Sequence, residues 1–138
     1  MIYMAENKIR LRIVTPVREL YNEEAEMVII RSSTGDIGIL HGHQPLTTTL
    51  GYGFLRIING DEEVKATVFG GFASVDDRGI TILSDAAEWP DEIDFERANA
   101  AKERAERRIQ SQDDNVDIAR AELALRRALI RLEAKKEK

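Results

Sequence analysis

Asp85-Ala86-Ala87-Glu88-Trp89-Pro90-Asp91-Glu92-Ile93-Asp94-Phe95-Glu96-Arg97-Ala98 is the stretch where this 138-residue chain changes character. All nine glycines lie upstream of it, between Gly35 and Gly79, and Pro90 is the last proline. Both residue types punctuate turns and disrupt helix interiors, so their joint disappearance marks a boundary. We place that boundary at 88/89. Charge shifts across it as well. Residues 1–88 hold 8 Lys and Arg against 13 Asp and Glu, whereas residues 89–138 hold 12 of each.

Downstream of the boundary the sequence reads as two helices. Asp94 is placed to cap the first, with Pro90 just upstream. Glu96 to Gln110 is rich in Ala, Arg, Glu and Lys, all strong helix formers. Ser111-Gln112-Asp113-Asp114-Asn115 breaks the pattern, and Asp117 to Glu133 resumes it with Asp117 as a candidate cap. So short a link predicts an antiparallel hairpin. The closing Lys-Glu-Lys reads as a small frayed tail, and no longer internal repeat is expected.

Upstream, the chain reads as β-structure. Lys8 to Val14 sets Ile9, Leu11 and Ile13 against Arg10 and Arg12, the period-2 pattern of a half-buried strand. Met27 to Ile30 is a β-branched run. Gly53 to Ile58 runs into Asn59-Gly60, a strong hairpin signal, and on to Val64–Phe69. Phe72–Val75, Asp77-Arg78-Gly79 and Ile80–Leu83 read as a second hairpin. The expected fold is α+β: an N-terminal antiparallel β-sandwich over residues 1–88, then a C-terminal antiparallel two-helix hairpin over residues 89–138.

Composition narrows the function classes. A net charge of −5 argues against a nucleic-acid module, which ordinarily presents a basic domain. The chain has no cysteine, which removes disulfides, thiolate metal sites and thiol nucleophiles. The two histidines, His41 and His43, sit in one turn and form no catalytic dyad. No stretch approaches the ~18 apolar residues of a membrane span, and Met1 to Lys8 lacks a signal-peptide core.

On a helical wheel at about 100° per residue, Phe95, Ala98, Ala105 and Ile109 share one face of the first helix, with Arg97, Arg104 and Arg108 striped beside it. In the second, Ile118, Ala121, Leu125, Ala128, Leu129 and Leu132 form the apolar face, and Arg120, Arg127 and Arg131 line another side. Two readings stand side by side. The stripes are solvated faces, supported by i,i+4 pairs such as Glu103–Arg107 and Glu122–Arg126. Alternatively they converge on an anion, since guanidinium forks suit phosphate oxygens and the alanines leave space for a flat base. Leu123 and Ile130 fall opposite the apolar stripe, where they either pack on the sandwich or meet a partner. The first helix relies on alanines, so the hairpin is expected to be marginal.

Gly35-Asp36-Ile37-Gly38-Ile39-Leu40-His41-Gly42-His43-Gln44-Pro45-Leu46 resembles the signature loop of ATP synthase epsilon subunits, with Ile37 where the family has Leu and His41 where it has Pro. Phe69-Gly70-Gly71-Phe72 resembles the family's Gly-Gly-Phe turn. Ile93-Asp94-Phe95-Glu96-Arg97-Ala98 is similar to the motif that opens its C-terminal hairpin. Arg120 to Leu125 resembles the second helix of Bacillus-type members.

The resemblance implies a ten-stranded sandwich that turns with the rotor, binding the gamma subunit and the c-ring, with Asp36 and His43 as rotor contacts. It implies a non-catalytic regulatory subunit held peripherally at the cytoplasmic face of the bacterial membrane, reaching the membrane only through the complex. It further implies that the hairpin binds ATP as a signal, through Glu88, Ile93, Asp94, Arg97, Ala98, Arg104, Arg127 and Arg131, with Arg108 and Arg120 in support. Mg2+ is an optional companion that no carboxylate cluster demands. When ATP is scarce, the helices would part, extend along gamma toward the catalytic alpha and beta subunits, and block hydrolysis. The alternative is a structural rotor coupler without useful nucleotide binding.

Overall fold

The computed structural model describes residues 7–111 and 113–137, and the chain divides after Glu88 into two compact units. Among the described residues, the first is a sandwich of ten strands: β1 (Ile9–Val14), β2 (Glu19–Ala25), β3 (Met27–Ser32), β4 (Gly35–Leu40), β5 (Leu46–Thr49), β6 (Tyr52–Asn59), β7 (Glu62–Phe69), β8 (Phe72–Asp76), β9 (Gly79–Leu83) and β10 (Ala87–Glu88). One sheet runs β2-β1-β9-β8-β5 and the other β10-β7-β6-β3-β4. Pairing is antiparallel throughout except between β1 and β9, which run parallel with Leu11 opposite Ile80 and Ile13 opposite Ile82.

The alternation in β1 does what its pattern predicts. Ile9, Leu11 and Ile13 are buried, and Arg10 and Arg12 face solvent. Together with Ile80 and Ile82 they meet Val28, Ile30, Ile39, Leu55 and Ile57 of the other sheet in a core closed to water. Burial of large aliphatic side chains, at about 25 cal/mol per Å2, is the main force holding the sandwich.

Four strands were not read from the sequence pattern: β4, which lies in the segment expected as a loop, and β2, β5 and β10. β2 reads Glu-Leu-Tyr-Asn-Glu-Glu-Ala and carries no apolar alternation. Its strand state comes from β1: Glu24 lies opposite Arg10, and Glu19 bonds Arg12 at 2.8 Å. An edge strand so charged also resists pairing with another chain. β5 is a threonine-rich edge paired with β8, and β10 is a two-residue strand on β7. The β6–β7 turn also differs from expectation. Asn59 pairs with Glu62, so the loop is Gly60-Asp61, one residue later than the Asn-Gly pair suggested. Gly60 supplies the positive φ, +59°, at the first central position.

The second unit opens with a 3-10 turn, Pro90–Glu92, followed by α1 (Phe95–Gln110) and α2 (Ile118–Glu133). Lys135 Nζ lies 6.0 Å from the centre of the Phe95 ring, which puts the end of α2 beside the start of α1 and makes the pair antiparallel. Residues Ala134–Glu137 form a further 3-10 turn rather than the frayed tail expected, while Lys138 lies outside the described residues.

The hairpin seam is narrower than the wheel suggested. Ala98, Ala105, Ala121 and Ala128 are buried, but Ile118 and Leu129, placed on the apolar face from sequence, are 40% and 44% exposed. Two helices approach closest where side chains are smallest, so the alanines form the seam and the larger residues flank it.

Candidate functional site

Asp94 stands immediately before α1 in extended conformation and accepts the backbone N–H of Arg97 at 3.0 Å. Asp117 does the same for α2, accepting from the N–H of Arg120 at 3.1 Å. Both satisfy an otherwise orphaned amide of the first turn, as the sequence predicts for caps. The equivalence runs further. Ile93 N–H donates to the carbonyl of Pro90 and Val116 N–H to that of Asp113. Ala98 and Ala121 N–H close the first helical bonds on Asp94 and Asp117, both at 3.0 Å.

The two helices therefore repeat at an offset of 23 residues, which corrects the expectation of no longer repeat. Asp94, Arg97, Ala98, Ala101, Arg104, Ala105 and Arg108 recur as Asp117, Arg120, Ala121, Ala124, Arg127, Ala128 and Arg131. At about 100° per residue these identities occupy one continuous arc of roughly 120° on each helix. The positions that differ, such as Lys102 against Leu125 and Glu106 against Leu129, lie outside that arc. The signal was present in the sequence. It was hidden because identity is confined to one helical face and is interrupted every second or third residue.

Antiparallel helices that present the same residues to one another are related by a quasi-two-fold axis perpendicular to both. Such an axis leaves whatever lies on one face of the pair on that same face. Arg97, Arg104 and Arg108 thus share a face with Arg120, Arg127 and Arg131, and the small Ala101 and Ala124 lie between the stripes and the seam. Five of the six arginines are exposed, and Arg131, Ala101 and Ala124 are half-buried. Among the described residues, the guanidinium groups of Arg97, Arg104, Arg108 and Arg120 make no ion pair or hydrogen bond, while Arg127 and Arg131 engage other groups of the chain. Glu103–Arg107, expected as an i,i+4 pair, does not form: both side chains are exposed and extend into solvent, where such a pair contributes little.

The remaining predicted positions fall elsewhere. Ile93 is buried and Ala98 sits in the seam. Glu88 is the last residue of β10, opposite Thr67, whose hydroxyl donates to the Glu88 carbonyl at 3.1 Å. Glu88 belongs to the sandwich rather than to a linker.

The Gly35–Leu46 segment is not a single loop. Gly35–Leu40 is β4, with Ile39 in the core, and only His41 to Pro45 forms the turn that follows. Asp36 is exposed and ion-paired with Arg31 directly across the ladder. His43 donates its backbone N–H to Leu40 at 3.1 Å and holds Nδ1 2.7 Å from the Gln44 carbonyl. Strand β4 separates the two by several residues at about 3.3 Å each, so they are not neighbours. His43 instead shares a shallow cavity of about 600 Å3 with His41, Glu24, Asp76 and Asp77.

A sandwich of this topology followed by a helical hairpin matches known proteins along nearly the whole chain. Residues 8–90 match the family described as "ATP synthase, Delta/Epsilon chain, beta-sandwich domain", and residues 91–136 the one described as "ATP synthase, Delta/Epsilon chain, long alpha-helix domain". This chain belongs to the ATP synthase epsilon family. It is 48% identical over 132 residues to the ATP synthase epsilon chain of Alkaliphilus metalliredigens, covering 96% of this chain and 98% of that one. The epsilon chain of Bacillus velezensis is 46% identical over 125 residues, covering 91% and 95%. A chain in the Euglena gracilis mitochondrial ATP synthase OSCP/F1/c-ring structure superposes with a TM-score of 0.78 at 31% identity, over 92% of this chain and 80% of that one. As an epsilon subunit, the protein is an accessory component of the F-type ATP synthase central stalk. Among the described residues no helix is long and apolar enough to cross a membrane.

Proposed function

We propose that the hairpin is an ATP-sensitive latch on the rotor. The observation that carries this reading is the gathering of six arginines on one face of two helices whose seam is alanine. Like charges so placed repel one another, and a triphosphate offers the oxygens that guanidinium forks hold in pairs. A small seam contributes little cohesion of its own, so an anion that spans both helices has leverage over whether they stay together.

The ligand residues are Arg97, Arg104, Arg127 and Arg131 on the phosphates, supported by Arg108 and Arg120. Ile93, Asp94 and Ala98 take the nucleoside end. The nucleotide acts as a signal. There is no Gly-x-x-x-x-Gly-Lys-Ser/Thr loop to cradle phosphates for transfer, and the last glycine is Gly79. Mg2+ would accompany ATP through the phosphates.

Binding only the closed pair, ATP stabilises it by about 2.7 kcal/mol at a hundredfold excess over Kd. A tenfold shift between states needs only ~1.4 kcal/mol of preference. With ATP scarce, the helices part, extend along gamma toward the alpha and beta subunits, and oppose hydrolysis. The sandwich binds gamma and the c-ring, through Asp36 and His43 among others, on the cytoplasmic face of the bacterial membrane.

The test is a titration of the isolated chain with ATP. Wild type should give a saturable signal, and Arg97→Gln/Arg104→Gln should weaken it at least tenfold. These two guanidinium groups hold no structural bond, so folding is spared. Equal binding by both proteins removes the site. No saturable binding up to millimolar ATP leaves a structural rotor coupler.

A further inference from the structure

The arginine face is a ladder of three rungs. The two helices are each 16 residues long and antiparallel, so the start of one lies level with the end of the other. Arg97 is the third residue of α1 and Arg131 the third from the end of α2, which sets them level. Arg108, third from the end of α1, is level in the same way with Arg120, third in α2. Arg104 and Arg127, each the tenth residue of its helix, make the middle rung. The 23-residue repeat carries Arg97 onto Arg120 and Arg108 onto Arg131. The quasi-two-fold axis therefore exchanges the outer rungs and passes through the middle one, and the ladder has like ends.

Counter-charge is kept off this ladder. Glu96, Glu103, Glu106, Glu122 and Glu133 all fall outside the arc that holds the arginines. Asp94 and Asp117, at its two ends, are engaged with backbone amides as caps. Among the described residues, every rung holds at least one guanidinium group without an ion pair or hydrogen bond, and in the Arg108–Arg120 rung both are so. Cations held level with one another and without carboxylates between them repel. A polyanion laid along the face removes that repulsion from both helices at once.

Length decides which polyanion fits. The outer rungs stand about 16 Å apart along the helices, for 11 residues at ~1.5 Å each. The Arg108–Arg120 rung is about 21 Å from Asp94 on the same scale. ATP with its nucleoside at Asp94 meets the near and middle rungs first, and reaches the far one only with the end of its phosphates. A ligand that matches the whole ladder is a run of more than three phosphates with like ends and no nucleoside.

We propose that the arginine face binds linear inorganic polyphosphate, with Arg108 and Arg120 holding the part of the chain that a triphosphate leaves short. The inference rests on the reading of this face as the holder of phosphates, and does not need the nucleoside end. What it adds is a ligand class without a base, able to close the hairpin in place of ATP by binding only the closed pair.

Calorimetric titration of the full chain, at one fixed ionic strength, with ATP, inorganic triphosphate and linear polyphosphates of increasing length tests this. Affinity per chain should rise at least tenfold from triphosphate to the length that spans all three rungs. Arg108→Gln/Arg120→Gln should bring that ratio to within about twofold. Arg107→Gln/Lys136→Gln removes the same charge from the hairpin away from the arc, and should leave the ratio at tenfold or more. None of these four side chains holds a bond among the described residues, so folding is spared. If ATP binds but longer chains bind no better than triphosphate, the proposal fails and the ATP reading stands. If polyphosphate shows the gain and ATP does not bind, the nucleoside end fails and the ladder stands. If nothing binds, both fail. A gain lost equally in both double variants assigns the attraction to net charge and excludes the ladder. A single-stranded oligonucleotide with as many phosphates should bind at least tenfold more weakly than polyphosphate, because its sugars spread the charges apart. Equal binding by the oligonucleotide would make the face a nucleic-acid surface and overturn the assignment.

Discussion

The carboxylate of Asp94 accepts the backbone N–H of Arg97 at 3.0 Å, so the residue assigned to the nucleoside end is also the residue that starts α1. Structure and proposed recognition share one side chain, and a simple alanine substitution there confounds them.

Asp94→Ala should destabilise the hairpin by about 1 kcal/mol through loss of the cap alone, before any ligand is added. Asp94→Ser should restore most of that stability without restoring nucleotide affinity. Helical circular dichroism on heating reads the first effect, and ATP titration the second. Equal ATP affinity in wild type and Asp94→Ser would take Asp94 out of the site.

Ala105→Leu should split the hairpin from the sandwich in a melting experiment. Ala105 is buried in the seam, where added methylenes typically cost about 1–3 kcal/mol. Helical signal should be lost at lower temperature, while the sandwich transition stays in place. A single unchanged transition would mean that the alanine seam does not hold the helices.

Gly71→Ala should damage the sandwich. Gly71 has φ +110°, and a Cβ there would overlap the carbonyl oxygen of Leu83 and press on the backbone of Ser84. Backbone cannot yield as a flexible side chain does, so a loss of at least about 2 kcal/mol is expected in denaturant unfolding. A loss under half of that would show that the β8–β9 region relaxes around the new methyl.

Acidification should remove a small contribution centred on Glu63. A hydrogen bond from the Arg56 guanidinium on the neighbouring strand β6 holds this carboxyl below its ordinary value of 4.5. A carboxylate depressed in the folded state stabilises fully above its unfolded pKa, and that stabilisation is lost as pH falls through the folded value. Wild type should therefore exceed Glu63→Gln in stability above pH 4.5, and the gap should close below it. A constant gap across acid pH would assign the effect to packing instead.

The sequence by itself determined the boundary at Glu88, the strands with apolar alternation and both helix caps. Each rests on local chemistry: no glycine or proline after Pro90, β1 with its inward Ile9, Leu11 and Ile13, and Asp94 and Asp117 set before helix-forming runs. Tertiary structure alone decided that the acidic Glu19–Ala25 segment is a strand, because its strand state is a response to Arg10 and Arg12 on β1 rather than a preference of its own. It decided likewise that alanines, not leucines, form the hairpin seam, since how closely two helices approach depends on both surfaces at once. It also brought two arginine stripes, 23 residues apart in sequence, onto one face. Neither helix encodes that convergence alone; it follows from antiparallel packing of two like faces about a common axis.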